Sequence, residues 1–274
     1  MKLLIAVDME GITGVATWEH VDPSHAEYQR FRRLMTADVN AAIAGAFEGG
    51  VDEVVVTDGH WNSTNILVEE LDPRARLNTG SPSPLSMVQG VDEGVDAAFF
   101  VGYHARAGSQ NGVLDHTWSS LRVANLWIND MLVGETGLNS SVCGQFGVPV
   151  LLVTGDQTLC EEARVWLTDV ATVQVKKSSG RYAAEVLAPA VTGPMIQSAA
   201  RAAVERFKQT GLPRPLEILT PVKITIEFFY SDMADRAALL PGAARLDGRR
   251  IEFTADTMVE AYTGFRAAVT LANR

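Results

Sequence analysis

Met1-Lys2-Leu3-Leu4-Ile5-Ala6-Val7-Asp8-Met9-Glu10-Gly11 opens the chain, and its form decides the fold. An apolar run, 3–7, passes at once into two acids and a glycine. The same form recurs twice: Val54-Val55-Val56 runs into Thr57-Asp58-Gly59-His60, and Ala97-Ala98-Phe99-Phe100-Val101 into Gly102-Tyr103-His104. Short apolar runs closed by polar residues and glycine read as buried parallel strands. In an open α/β sheet the ligand site lies just past the carboxyl ends of such strands. Asp8, Glu10, His60 and His104, far apart in sequence, are therefore expected at one crevice. That mix of carboxylate and imidazole suits zinc or another first-row divalent metal.

The intervening segments complete a β-α-β pattern. Phe31, Met35, Val39, Ile43 and Phe47 recur at every fourth residue, one face of a helix that Gly49-Gly50 stops. Its start is signalled at Asp22-Pro23-Ser24, and the crossover should be right-handed. Short helices are expected over 65–71 and 87–94, and a mobile polar loop over 106–115. A hairpin is expected to turn at Asn129-Asp130, and a helix to open near Glu135. Further strands are expected at 148–154 and 172–175, then a helical stretch over 182–209 broken at Pro189 and around Gly193-Pro194. Gly211-Leu212-Pro213-Arg214-Pro215 reads as a linker. Beyond it, 217–229 and 250–255 alternate as strands and 257–272 follows as a helix. The expected architecture is α/β: a mostly parallel central sheet flanked by helices over residues 1–210, with a smaller C-terminal α+β layer over 211–274.

Composition removes several function classes. The chain has 274 residues, 47% apolar and 20% charged, and a formal net charge of −10. It lacks the basic stripe that a nucleic-acid backbone requires, so no nucleic-acid partner is expected. No apolar segment approaches the ~18 residues that cross a bilayer, so no membrane partner is expected either. Cys143 and Cys160 are the only cysteines and read as reduced core residues. With no signal-peptide pattern at the start, the expected compartment is the cytoplasm. HExxH, Cys-x-x-Cys, GxxxxGK[ST] and GxSxG are all absent, which sets aside the common zinc-protease, zinc-ribbon, P-loop and serine-hydrolase readings. Of the five histidines, His60, His104 and His116 sit at or shortly after expected strand ends on the edge that carries Asp8 and Glu10.

Five ordered motifs then give a resemblance. VDMEGITG (7–14), DGH (58–60), GYHAR (102–106), the segment around His116 and IND-x-x-VGE-x-GLN (128–139) resemble the zinc-dependent D-aminopeptidases, and the likeness continues to MVEAY (258–262). It implies two zinc ions per subunit on Asp8, Glu10, His60, His104 and Glu135, with Asp8 bridging. Glu135 comes from the resemblance alone; by itself it reads as an acid favoured by a helix N-terminus. The resemblance also implies His116 as the catalytic histidine, and a homodecamer of two stacked pentamers enclosing the active sites. Such a site would hydrolyse the N-terminal residue of short peptides, with His116 acting as acid/base, oxyanion stabiliser or nucleophile. Asp58 or Asp156 could hold the substrate amine. Arg106, Arg122 and Asn139 could recognise a carboxylate or carbonyl, and Trp61 and Trp118 could line a side-chain pocket. Another metal-dependent amidase or phosphoesterase, or a non-catalytic dipeptide-binding protein, are the competing readings.

Overall fold

A computed structural model describes residues 1–273. In chain order it runs β1 (Lys2–Val7), α1 (Tyr28–Glu48), β2 (Glu53–Asp58), β3 (Ala75–Asn78), β4 (Ala97–Val101), β5 (Val123–Ile128), β6 (Met131–Val133) and α2 (Glu135–Gln145). The second half adds β7 (Val150–Asp156), α3 (Gln157–Trp166), β8 (Ala171–Gly180), β9 (Ala183–Val186), α4 (Pro189–Thr210), β10 (Val222–Phe228), α5 (Ser231–Ala237), β11 (Ala244–Arg245), β12 (Arg250–Ala255) and α6 (Met258–Leu271).

The three opening apolar runs become adjacent parallel strands. The first sheet has the order β3-β2-β1-β4-β7-β8-β9 and is parallel except for the β8–β9 pair. Val7 stands opposite Asp58 on one side and Val101 on the other. Whatever follows these three positions therefore emerges at one level. The order reverses at β1, since β2 lies on one side of it and β4 on the other. Such a switch point opens a crevice beyond the strand ends.

Alternation along β1 divides the core. Leu3, Ile5 and Val7 face one apolar cluster with Phe31, Met35, Val39 and Ile43 of α1 and Ile196, Ala200 and Val204 of α4. Leu4 and Ala6 face the other, with Leu138 and Val142 of α2, Ile224 and Ile226 of β10, and Tyr262 and Phe265 of α6. A sheet buried on both faces by apolar side chains explains why its strands carry unbroken apolar runs.

The second sheet is antiparallel, in the order β11-β12-β10-β5-β6. The hairpin at Asn129-Asp130 forms as expected, with φ of 48° and 65° at the two turn residues. It joins the C-terminal strands through β5–β10 pairing, Ile128 opposite Ile224. The antiparallel layer thus takes strands from both sides of residue 210.

Other local expectations differ from what forms. No helix forms over 65–71; Asp58 takes the Asn65 and Ile66 N–H groups, and Arg32 takes the Thr64 and Asn65 carbonyls. Side chains satisfy there the groups a helix would have used. The expected helix over 87–94 shrinks to a 3-10 turn, Ser86–Val88. Of the stretch 182–209, the first residues pair as β9 against β8, and α4 begins at Pro189 and continues through Pro194. Pro189 suits the first helical position, where the N–H has no partner within the helix, whereas Pro194 lies inside it.

Candidate metal centre

Two tight turns bring the first acids to the crevice. Asp8 follows β1 directly, and its N–H donates to the Val101 carbonyl at 2.9 Å. Gly11 then donates to the Gly102 carbonyl at 2.8 Å. A Cβ on Gly11 would lie 1.8 Å from the Tyr103 carbonyl oxygen, and Gly102 holds φ +75° with its Cβ position 2.3 Å from the Asp8 carbonyl oxygen. Only glycines let these two turns interlock so closely. The interlock sets Asp8 and Glu10 against His104.

Each histidine is fixed by one ring nitrogen. His60 Nε2 lies 2.9 Å from the Val21 carbonyl, His104 Nδ1 3.0 Å from the Ala105 carbonyl, and His116 Nδ1 2.9 Å from the Leu114 carbonyl. A carbonyl only accepts, so these nitrogens carry the proton. The other nitrogen of each ring points into the crevice. His60 Nδ1 lies 3.3 Å from Asp8 Oδ1 and 3.0 Å from Glu10 Oε2. His104 Nε2 lies 3.2 Å from both Asp8 Oδ2 and Glu135 Oε1. His116 Nε2 is farther off, 4.0 Å from Glu10 Oε1 and 3.7 Å from Glu135 Oε1.

These groups converge without bonding to one another. Asp8 Oδ2, Glu10 Oε2 and His104 Nε2 are buried and have no hydrogen-bond partner. Asp8, Glu10, His60, His104 and Glu135 are each at most 4% exposed. Lone pairs of imidazole and carboxylate crowded in a dry crevice repel unless a cation lies between them. A proton can serve. Burial pushes His60 down, but Glu10 and Asp8 overcome it and hold His60 well above its usual range. For His104, burial is likewise overcome, here by Glu135 and Asp8. Burial pushes the Asp8 carboxyl up, yet the His104 and His60 imidazoles hold it well below its usual range. A divalent cation would replace these protons with stronger attraction to the same lone pairs.

The oxygens of Asp8 divide the donors into two groups. Oδ1 faces His60 beside Glu10, and Oδ2 faces His104 beside Glu135. Donor atoms of Asp8, Glu10 and His104 lie within 4.8 Å of one another, as do those of His104, His116 and Glu135. The two groups overlap at His104, and each could hold a metal ion. Glu135 reaches it as the first residue of α2, where the helix dipole favours an anion. The Trp118 N–H donates to Glu135 Oε1 at 2.6 Å and fixes that carboxylate.

His116 lies at the edge of this set, its Nε2 farther from the carboxylates than the crevice nitrogens of the other two histidines. Its ring stacks on His104 with centroids 4.0 Å apart and meets Trp18 edge-on at 5.6 Å. Burial and the neighbouring His104 push its pKa down. Leu114 and Trp118, two residues to either side, hold φ of 52° and 63°. Non-glycine residues in that region store strain, a common feature of functional loops. The loop expected to be mobile is tied down at several points. Val113 donates to Asp156, Gly108 to Asp115, and Ala107 to Thr117.

Other candidates separate by what they touch. Asp58 caps the 60–66 turn with both oxygens, and Asp156 caps α3 while accepting from Val113. Neither has an oxygen left for a substrate amine. Arg106 donates to the neighbouring Ala107 carbonyl, and buried Asn139 donates to the Tyr103 hydroxyl. Trp61 is 60% exposed at the rim of the cleft, whereas Trp118 lines it while resting edge-on against Tyr262 and Phe265.

Lys176 escaped the sequence reading. It is 1% exposed, and its ammonium donates to the carbonyls of Glu10, Ile12 and Val15. It therefore moulds the turn that carries Glu10. Burial pushes it down to about 8 against the pull of Asp156, Asp38, Glu10 and Asp8. Alternation along β8 would turn Lys176 away from Val175. A register shift at Gly155/Asp156 lets both be buried.

A family model described as D-aminopeptidase, peptidase family M55, matches residues 1–267. A D-aminopeptidase of Bacillus subtilis (strain 168) is 38% identical over 275 residues, spanning 100% of this chain and 98% of the relative. Among solved structures, the Zn-dependent D-aminopeptidase DppA from Bacillus subtilis, a self-compartmentalizing protease, superposes with a TM-score of 0.95 at 38% identity. That match covers 99% of this chain and 98% of the other.

Proposed function

The chain belongs to the M55 family of D-aminopeptidases, and on that premise we propose how its crevice performs zinc-dependent hydrolysis of an N-terminal D-residue. Asp8, Glu10, His60, His104 and Glu135 would hold two zinc ions per subunit. The observation that carries this reading is the convergence of unpartnered, buried Asp8, Glu10 and His104 atoms on one crevice. When bound, zinc polarises the scissile carbonyl and draws a nucleophile from water at neutral pH.

The chain's own residues do the rest. Backbone carbonyls of Val21 and Ala105 hold His60 and His104 in the tautomers that present a lone pair. Asp8 balances charge between the two positions. His116 is held neutral by burial, with Nδ1 committed to Leu114 and Nε2 free over the crevice. It takes a proton at Nε2 and returns it to the leaving amine. Substrates are short peptides, and the assembly is a homodecamer of two stacked pentamers. That the similar Bacillus subtilis enzyme is a self-compartmentalizing protease supports an oligomer. Among the described residues no helix is long and apolar enough to cross a membrane. The free, buried Cys143 and Cys160 support a reducing compartment, the cytoplasm.

A panel of free D- and L-dipeptides beside p-nitrophenyl phosphate, with zinc-loaded and chelator-stripped protein, tests the reading. We expect zinc-dependent release of the N-terminal D-residue and no phosphate release. Zinc-loaded protein that cleaves only the phosphate ester would overturn it.

A further inference from the structure

We propose that Arg122 binds the free α-carboxylate of the substrate, so that the cleft recognises a peptide by both of its charged ends. The inference rests on the aminopeptidase reading and names what that reading leaves open, the group that receives the far end of the substrate.

The cleft over the crevice has a volume of about 920 Å³, and its lining carries both signs of charge. The first sheet contributes Asp8 and Glu10, joined by Glu135 at the start of α2. The antiparallel layer contributes Arg122, which precedes β5, and Arg266 of α6. Among the described residues these guanidiniums are the only permanent cations in the wall. In a chain of net charge −10, two guanidiniums in the same cleft as three carboxylates make its lining bipolar. A peptide with a free amine and a free carboxylate matches it.

The two arginines differ in what they have left to offer. Arg266 donates to the Pro84 carbonyl at 2.5 Å and the Ser83 carbonyl at 2.8 Å, and lies over the Tyr262 ring at 5.5 Å. It fastens α6 to the opposite wall of the cleft. Arg122 makes one side-chain hydrogen bond, to Asn273 Oδ1 at 2.5 Å. Among the described residues it has no carboxylate partner. Its remaining N–H groups form the planar fork that suits a carboxylate in two-point contact. Ser119 and Ser120, three and two residues before it and also in the wall, add hydroxyl donors. Of the three groups the sequence offered for this role, Arg106 and Asn139 are committed elsewhere, and Arg122 alone lines the cleft.

The test compares D-alanyl-D-alanine with its C-terminal amide on zinc-loaded wild type, Arg122→Gln and Arg122→Lys, with zinc content measured on each preparation. Wild type should prefer the acid by about 10- to 100-fold in kcat/KM, mostly through KM, as a charge-assisted hydrogen bond requires. Arg122→Gln should bring the ratio close to one at unchanged zinc content. Arg122→Lys should fall between, since a lysine keeps the charge but not the fork. Equal use of acid and amide by wild type, or an undiminished preference in both variants, would overturn the inference alone. Turnover of neither peptide by zinc-loaded wild type would overturn the aminopeptidase reading, and this inference with it.

Discussion

Beneath the turn 8–15, the ammonium of Lys176 is buried and donates to three carbonyls, while Asp38 accepts from the Thr13 N–H at 2.9 Å. Above the same turn, Asp8 Oδ2, Glu10 Oε2 and His104 Nε2 are equally buried and bond to nothing. The clusters share a strand edge, a degree of burial and a charged composition, and differ in whether their polar atoms are satisfied. A satisfied buried network is finished structure, and fixes a backbone shape. An unsatisfied one whose lone pairs point at a common centre is built for a ligand. The lower cluster stabilises the turn, and the upper one uses it.

The comparison breaks first at Asp8. Asp8→Asn removes the one carboxylate that faces both halves of the upper cluster, and should reduce aminopeptidase activity by at least about 10⁴-fold, to background. Wild-type kcat/KM in this variant would show that the two halves do not depend on a shared group.

His116→Ala should follow, with kcat lower by about 10²–10⁴-fold and a smaller change in KM. His116 is not among the proposed zinc ligands, so zinc content should stay at the wild-type value. Loss of zinc in this variant would make His116 a ligand, and a kcat within a few-fold of wild type would make it a packing residue.

Lys176→Met tests the lower cluster through the upper. It takes a donor from three buried carbonyls, of which Ile12 keeps the Val15 N–H, and loosens the Glu10 turn, so zinc affinity should weaken by about 10–100-fold, the usual effect of removing a partner that orients a ligand. Competition with a zinc chelator reads this directly. Undiminished affinity would mean that the turn keeps its shape without the ammonium.

How much of this contrast the sequence displayed follows from range. β1, β2 and β4 are legible because strands buried on both faces need unbroken apolar runs, and Asp8, Glu10, His60 and His104 because they stand at or just beyond the ends of those runs. Glu135 opens a helix after a hairpin of the other sheet, and nothing local distinguishes it from any acid in a first helical turn. It was reached only through family likeness. Lys176 was hidden by the register shift that breaks alternation on β8. The failed helix at 65–71 was hidden by Arg32 and Asp58, which capture its backbone groups from other elements. Long-range pairing also gave the antiparallel layer its β5–β6 hairpin, which adjacency in sequence would have left beside β4.

The smallest effect is one of pH on the metal-free protein. His60 and His104 have folded pKa values raised well above 6.5, so the stability they contribute is full below about pH 6.5 and is lost as pH rises through their folded pKa. His116, pushed down, acts in the opposite sense below its usual pKa. Above pH 6.5 the Tm of metal-free protein should therefore fall by a few degrees, at about 2–4 °C per kcal/mol. Zinc-loaded protein should not follow, so the gain in Tm on adding zinc should grow with pH. A gain that shrinks between pH 6.5 and 9 would mean that protons and zinc do not compete for these rings.

The central claim is that the upper cluster is a two-ion site organised around Asp8. Titrating chelator-stripped wild type and Asp8→Asn with zinc, and counting the zinc retained per chain after dialysis, tests it most directly. The account predicts two ions per chain in wild type and loss of both in Asp8→Asn. No retained zinc in wild type, or two ions retained by Asp8→Asn, would contradict it.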